Sequence, residues 1–177
     1  LASLPAVVDP SDARREEVDI IWMPTGGGKT EAYSAVAAFV MLWRRYHQVD
    51  AGQKLAGQGA TILMRYTLRL LTAQQLQRAA ALICALEQIR REHPEQLGKG
   101  RKFTIGAWLG AKSTPNSRSS ARTALSVWSA DPTKRGFLMT RCPWCGATIG
   151  RREGAGKQTI DGYKLADVPN KPEKRVM

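Results

Sequence analysis

Three short apolar runs, each followed by a turn or a helical pattern, set the rhythm of this chain. The first, "VDIIWM" (18–23), reads as a strand buried on both faces of a parallel sheet. From Thr30 to about Trp43 the residues are apolar nearly all round, which predicts a helix buried between layers. A turn-rich linker follows, "HQVDAGQKLAGQGA" (47–60), and then "TILMR" (61–65) predicts a second buried strand. Across 69–92, Leu71, Leu76, Ala79, Leu82, Ile83, Leu86 and Ile89 recur against Gln74, Gln75, Gln77, Arg78 and Gln88. That is a long helix, closed by Pro94 and "LGKG". "FTIGAWLG" (103–110) supplies a third strand. Strand, helix, strand, helix, strand predicts an α/β fold with a parallel sheet, right-handed crossovers and sites at the C-terminal strand ends.

Beyond Gly110 the pattern thins. "AKSTPNSRSSAR" (111–122) is a polar loop opening a helix to about Trp128, and "TRCPWCGATIG" (140–150) follows. The last stretch, 151–177, is basic and rich in Gly, Pro and Lys. It has no periodic apolar face and is not expected to order alone.

Composition narrows the class. A chain of 177 residues, 43% hydrophobic and 24% charged, suits one ordinary domain with its own core. The longest apolar stretch, "AVAAFVMLW" (35–43), is too short to span a bilayer. No signal peptide is read at the start, and the missing initial Met suggests a piece of something longer. Three cysteines without a disulfide framework fit a reducing cytoplasm.

Charge is unevenly spread. Residues 1–88 hold 9 Lys/Arg against 8 Asp/Glu, whereas residues 89–177 hold 18 against 7, out of a net +12. A basic half suggests a polyanion partner, most simply nucleic acid; a solvated basic surface fits the charge equally.

"MPTGGGKT" (23–30) joins the first apolar run to the first helical pattern. Glycines let successive amides curl round phosphate oxygens, and a helix N-terminus adds favourable partial charge. Pro24, Thr25, Gly26, Gly27, Gly28, Lys29, Thr30 and Glu31 form the candidate ATP site. Lys29 reaches the β- and γ-phosphates and the Thr30 hydroxyl holds Mg²⁺, so these two are the candidate catalytic residues. Met23 stands where Ala or Gly is usual.

Pro-Thr-Gly-x-Gly-Lys-Thr followed by Glu31 and Ala32 resembles motif I of superfamily 2 helicases and translocases. "TILMRYTLRLLTAQQLQRAAAL" lies where that superfamily has motif Ia, whose strand end meets the nucleic-acid backbone. The resemblance implies phosphate contacts from Arg65, Tyr66, Thr67 and Arg69, with Gln74 or Gln75 nearby. Thr114 and Asn116 are candidates in the later loop, where Arg118 and Arg122 add charge. A flexible loop is the plain alternative there, and an Arg at a strand end pairs equally well with a carboxylate.

"WMPTGGGKTEAY", "MRYTLRLLTAQQLQRA", "IGAWLGAKSTPN" and "TRCPWCGATI" together resemble the DrmA family, helicase-like proteins of DISARM antiphage defence. The resemblance implies a large cytoplasmic bacterial ATPase that works on DNA with a DrmB-like partner. The fold expected is therefore an incomplete parallel-sheet P-loop (RecA-like) domain over 1–130. Residues 131–177 would begin a basic insertion carrying half a zinc ribbon.

"CPWCG" (142–146) is that half. A Cys-x-x-Cys turn brings two thiolates, Cys142 and Cys145, to one Zn²⁺, and the Gly after the second allows the tight backbone. The other two ligands are expected beyond Met177. Cys84 reads as a packed small residue, His47 and His93 as surface residues at helix ends. A redox role would place the motif at a helix start, not in a Gly/Arg-rich loop.

No Asp-Glu dipeptide occurs in the chain to hold Mg²⁺ and position water. The chain is thus expected to bind nucleotide weakly and hydrolyse it negligibly, as one part of an ATP-dependent helicase or translocase. Two other readings stand beside this one. One is a P-loop switch or assembly ATPase without a nucleic-acid substrate, the other a non-catalytic zinc and nucleic-acid binding module.

Overall fold

Asp9 and Asp12 organise the start of the chain. Helix α1 (Leu4–Val8) ends at Asp9, whose carboxylate accepts from the Ser11 amide and hydroxyl at 2.8 and 2.7 Å. Asp12 caps a 3-10 turn (Ala13–Glu16) by accepting from the Arg14 amide at 2.9 Å. Arg15 donates back to the Ala6 carbonyl at 2.7 Å, tying this turn to α1. The computed structural model describes residues 4–18, 20, 22, 24, 26–53, 57–65, 69–110, 114–115, 117–130, 138–151, 160–163 and 165. For 69–73, 129, 150, 151, 160 and 161 only the backbone is described.

Helix α2 (Lys29–Asp50) runs past the expected end near Trp43. Its last two turns carry the side chains that organise the connecting segment. Arg44 donates to the Gln58 carbonyl at 2.9 Å and the Thr61 hydroxyl at 2.6 Å. Gln48 accepts from the Gly57 amide at 2.8 Å. The only fully buried residue described on this helix is Arg45, not an aliphatic one. Its guanidinium lies 4.6 Å from the Phe103 ring centroid and donates to the Arg101 carbonyl at 2.6 Å.

Helix α3 (Arg69–Glu92) has the expected boundaries, and a short helix α4 (Pro94–Leu97) that the sequence reading did not anticipate follows it, with Pro94 at the first helical position. Helix α4 packs on α2. The fully buried apolar residues among those described are Ala80, Leu86, Leu97 and Phe103. Beside them Glu87 takes both Nε and Nη2 of Arg90 at 2.8 Å and the Phe103 amide at 3.1 Å. Arg90 reaches on to the Gly98 carbonyl at 2.6 Å. An ion pair thus fastens the α3 end to the segment behind α4.

Helix α5 (Arg118–Ala130) starts where the polar loop ends, with the Ser117 hydroxyl accepting from the Ser120 amide at 3.1 Å. The chain divides into two compact units, residues 1–67 with 79–104, and residues 68–78 with 105–177.

The expected parallel-sheet, RecA-like fold is not seen among the described residues. Among the described residues the ladders are one antiparallel pair, β1 (Gly150–Arg151) with β2 (Ile160–Asp161), and a single bridge between Arg141 and Thr148. The described parts of 18–23, 61–65 and 103–110 lie in no ladder. A strand buried on both faces needs partners alongside and layers above and below. Here Val18, Ile20, Trp22, Leu63 and Trp108 are 87–93% exposed. The α2 expectation changes for the same reason, because without sheet layers most of its residues are half-buried. Short apolar runs carry no periodicity that distinguishes a buried strand from an uncovered segment.

Candidate functional site

The glycine run turns the chain into α2. Gly26 and Gly28 take φ of +83° and +76°, a region where a side chain would be strained. The Gly27 amide donates to the Pro24 carbonyl at 3.1 Å, closing the turn. Gly28 then stands at the N-cap, without a side-chain cap, and its carbonyl accepts from the Ala32 amide at 3.0 Å. Lys29, Thr30 and Glu31 therefore form the first turn, where backbone amides and the helix dipole favour an anion. Lys29 and Glu31 are exposed and Thr30 is half-buried. An added Cβ at Gly26 would meet nothing within 4 Å. Thr25 and Met23 lie outside the described residues.

Tyr33, one turn on, donates its hydroxyl to Thr30 Oγ1 at 3.2 Å. Sequence reasoning passed over this residue. The signal was available, since two hydroxyl-bearing side chains three apart on a helix are neighbours.

Of the nucleic-acid candidates, Arg65 and Thr114 are those whose side chains are described. Arg65 is exposed at the end of the second apolar run. Tyr66, Thr67 and Asn116 lie outside the described residues, and Arg69 opens α3 with its side chain undescribed. Thr114 is half-buried and spends its hydroxyl within its own turn, on the Leu109 carbonyl at 3.3 Å. Arg122 is exposed on α5. Arg65 and Thr114 belong to different compact units.

The cysteine turn is closely built. The Gly146 amide donates to the Cys142 carbonyl at 2.9 Å, and the Cys142 amide to the Ala147 carbonyl at 2.8 Å. Gly146 takes a φ of +72°, as the tight return requires. Amide donors from Cys145 and then Trp144, with the Cys145 thiol, hold the Cys142 thiol below its ordinary value. That favours the thiolate, the form that ligates metal. The donor set suits Zn²⁺ as one half of a tetrahedral site. Among the described residues no group of three or more potential metal ligands occurs. Cys84 is half-buried within α3, His47 lies edge-on to Trp43 at 4.1 Å, and His93 caps α4.

No described helix is long and apolar enough to cross a membrane. The 152–159 and 166–177 parts of the basic tail lie outside the described residues.

Comparison with known proteins bears on the whole set. The chain is similar to the DISARM protein DrmA of Bacillus paralicheniformis, with 42% identity over 116 residues, 66% of this chain. It spans about a tenth of that protein's length. No family model and no solved structure matches. The resemblance to DrmA carried by the sequence blocks is thus matched by extended identity.

Proposed function

We propose that this chain holds the phosphates of ATP within a DrmA-like, DNA-dependent ATPase, a helicase or translocase of DISARM antiphage defence. Lys29 neutralises the β- and γ-phosphate oxygens, the Gly26–Gly28 backbone surrounds them, and Thr30 Oγ1 ligates Mg²⁺. The observation that carries the reading is the pair of left-handed glycines delivering Lys29 and Thr30 to the first turn of α2. Identity to DrmA supports the setting. In that setting the protein works in the cytoplasm with DNA and a DrmB-like partner, and Cys142 and Cys145 contribute two thiolates to a structural Zn²⁺.

No Asp-Glu pair is available in the chain to position water, so nucleotide is held and not turned over. Lys29→Ala should weaken Mg-ATP binding at least tenfold in a fluorescent-nucleotide titration, with the α-helical signal preserved. Equal affinity in that variant would sink the phosphate-loop reading. Hydrolysis that vanishes with Lys29→Ala would overturn the prediction of negligible turnover. In the longer DrmA-like protein, ATPase stimulated by DNA and suppressed by salt separates a motor from a switch ATPase with no nucleic-acid substrate.

A further inference from the structure

Thr30 lies in the first turn of α2, and its hydroxyl has more than one way to face. A helical threonine divides between two χ1 rotamers, because its Oγ1 can bond the carbonyl three or four residues back. For Thr30 those carbonyls belong to Gly27 and Gly26, in the glycine turn itself. A hydroxyl turned onto them serves the backbone and not a cation. Mg²⁺ tolerates such freedom poorly, since it demands near-ideal octahedral ligand geometry.

Tyr33 meets that requirement from one turn ahead. Long side chains on a helix lean toward its N-terminus and cover the residues three and four back, here Thr30 and Lys29. The phenol does so, donating to Thr30 Oγ1 at 3.2 Å. Both side chains are half-buried, whereas Lys29 and Glu31 on either side of Thr30 are exposed. Water therefore competes less for this bond than it would in the open. A hydroxyl oxygen has two lone pairs, so accepting from the phenol leaves one for a cation. We propose that Tyr33 is a positioning residue for the metal, its phenol holding Thr30 Oγ1 so that the remaining lone pair is offered to the Mg²⁺ of Mg-ATP. This rests on the phosphate-loop reading above and adds to it the residue that orients the metal ligand.

Orientation of a metal ligand and packing of a helix leave different signatures, because only the former depends on the cation. The test measures affinity for a fluorescent ATP analogue in EDTA and in Mg²⁺, and takes the ratio as the Mg²⁺ gain. The full chain is used as wild type, Tyr33→Phe, Thr30→Ala and the double variant. Tyr33→Phe keeps the ring, which guards against a folding defect, and should lower the gain about fivefold, in line with one lost hydrogen bond. Thr30→Ala should remove the gain, and adding Tyr33→Phe should then change nothing further, as two residues acting through one contact require. An undiminished gain in Tyr33→Phe overturns the inference, even where affinity falls alike in EDTA and Mg²⁺. If Thr30→Ala still loses the gain, the metal-ligand role of Thr30 stands without it. A loss from Tyr33→Phe that persists in the Thr30→Ala background also overturns it, since the phenol then acts by another route. A wild type with no Mg²⁺ gain removes the role of Thr30 and this inference together, while Lys29→Ala still reports on phosphate binding.

Discussion

Glu87 gathers more of the first unit than any apolar residue beside it. It accepts from Arg90 twice, from Arg91 at 3.4 Å and from the Phe103 amide at 3.1 Å. Its carboxyl is only 12% exposed, and the Arg90 hydrogen bonds in particular hold its pKa down to about 2 from 4.5. Arg45 is buried in the same cluster, its guanidinium pushed down by desolvation and by Arg90. Removing the carboxylate leaves two buried cations without their counter-charge. Glu87→Gln should therefore cost on the order of 2 kcal/mol at neutral pH, read from denaturant midpoints. The sign of the pH effect follows from a depressed native pKa. The stabilisation is complete above about pH 4.5, the unfolded value, and is lost as pH falls toward about 2. Glu87→Gln should flatten the stability profile across that interval. An unchanged acid limb would show that the ion pair contributes nothing to folding.

At the scale of elements, the joint between α2 and its following segment is the most constrained feature described. A Cβ on Gly57 would stand 2.2 Å from Arg45 Nη2, and its φ is +83°. Gly52 has a φ of +65° but nothing within 4 Å, so it isolates the backbone cost. Gly52→Ala should lose about 1–2 kcal/mol through left-handed strain alone. Gly57→Ala should lose clearly more, because Arg45 must also leave its carbonyl and ring contacts; equal losses would refute the threading. None of this was legible in the sequence, where "AGQKLAGQGA" reads as a plain linker. The α2 and α3 patterns were legible because side chains three and four apart must share a face. What failed was the sheet. Runs such as "VDIIWM" and "TILMR" state that apolar surface exists, and pairing decides what covers it. The turn into α2 was legible for a different reason, since consecutive glycines have a local backbone consequence. The Tyr33 hydrogen bond to Thr30 went unread because a formed helix turn is what brings the two hydroxyls together.

For the whole molecule, charge and apolar exposure oppose each other. The net +12 keeps copies apart at low ionic strength, and Val18, Ile20, Leu63 and Trp108 offer uncovered apolar surface once that repulsion is screened. Self-association should therefore rise with salt, in the direction opposite to that expected of the proposed DNA binding. Ile20→Lys combined with Leu63→Lys should suppress it, as followed by sedimentation velocity at low and high salt. Association unaffected by those changes would place the adhesive surface elsewhere.

Trp22 gives the molecule a property of another kind. It stands two residues before Pro24, at the entrance to the glycine turn, and is 87% exposed. Trp43, by contrast, is stacked on Phe39 with centroids 5.8 Å apart and has His47 against its edge. The two indoles are thus in opposite surroundings, one in water and one among rings. Light emitted by Trp22 is open to collisional quenchers dissolved in the buffer, and Trp43 is partly shielded from them. A ligand that settles over the glycine turn and reaches Trp22 should lower the quenchable fraction by that residue's share, with Trp108 and Trp144 still open to the quencher and Trp22→Phe abolishing the change.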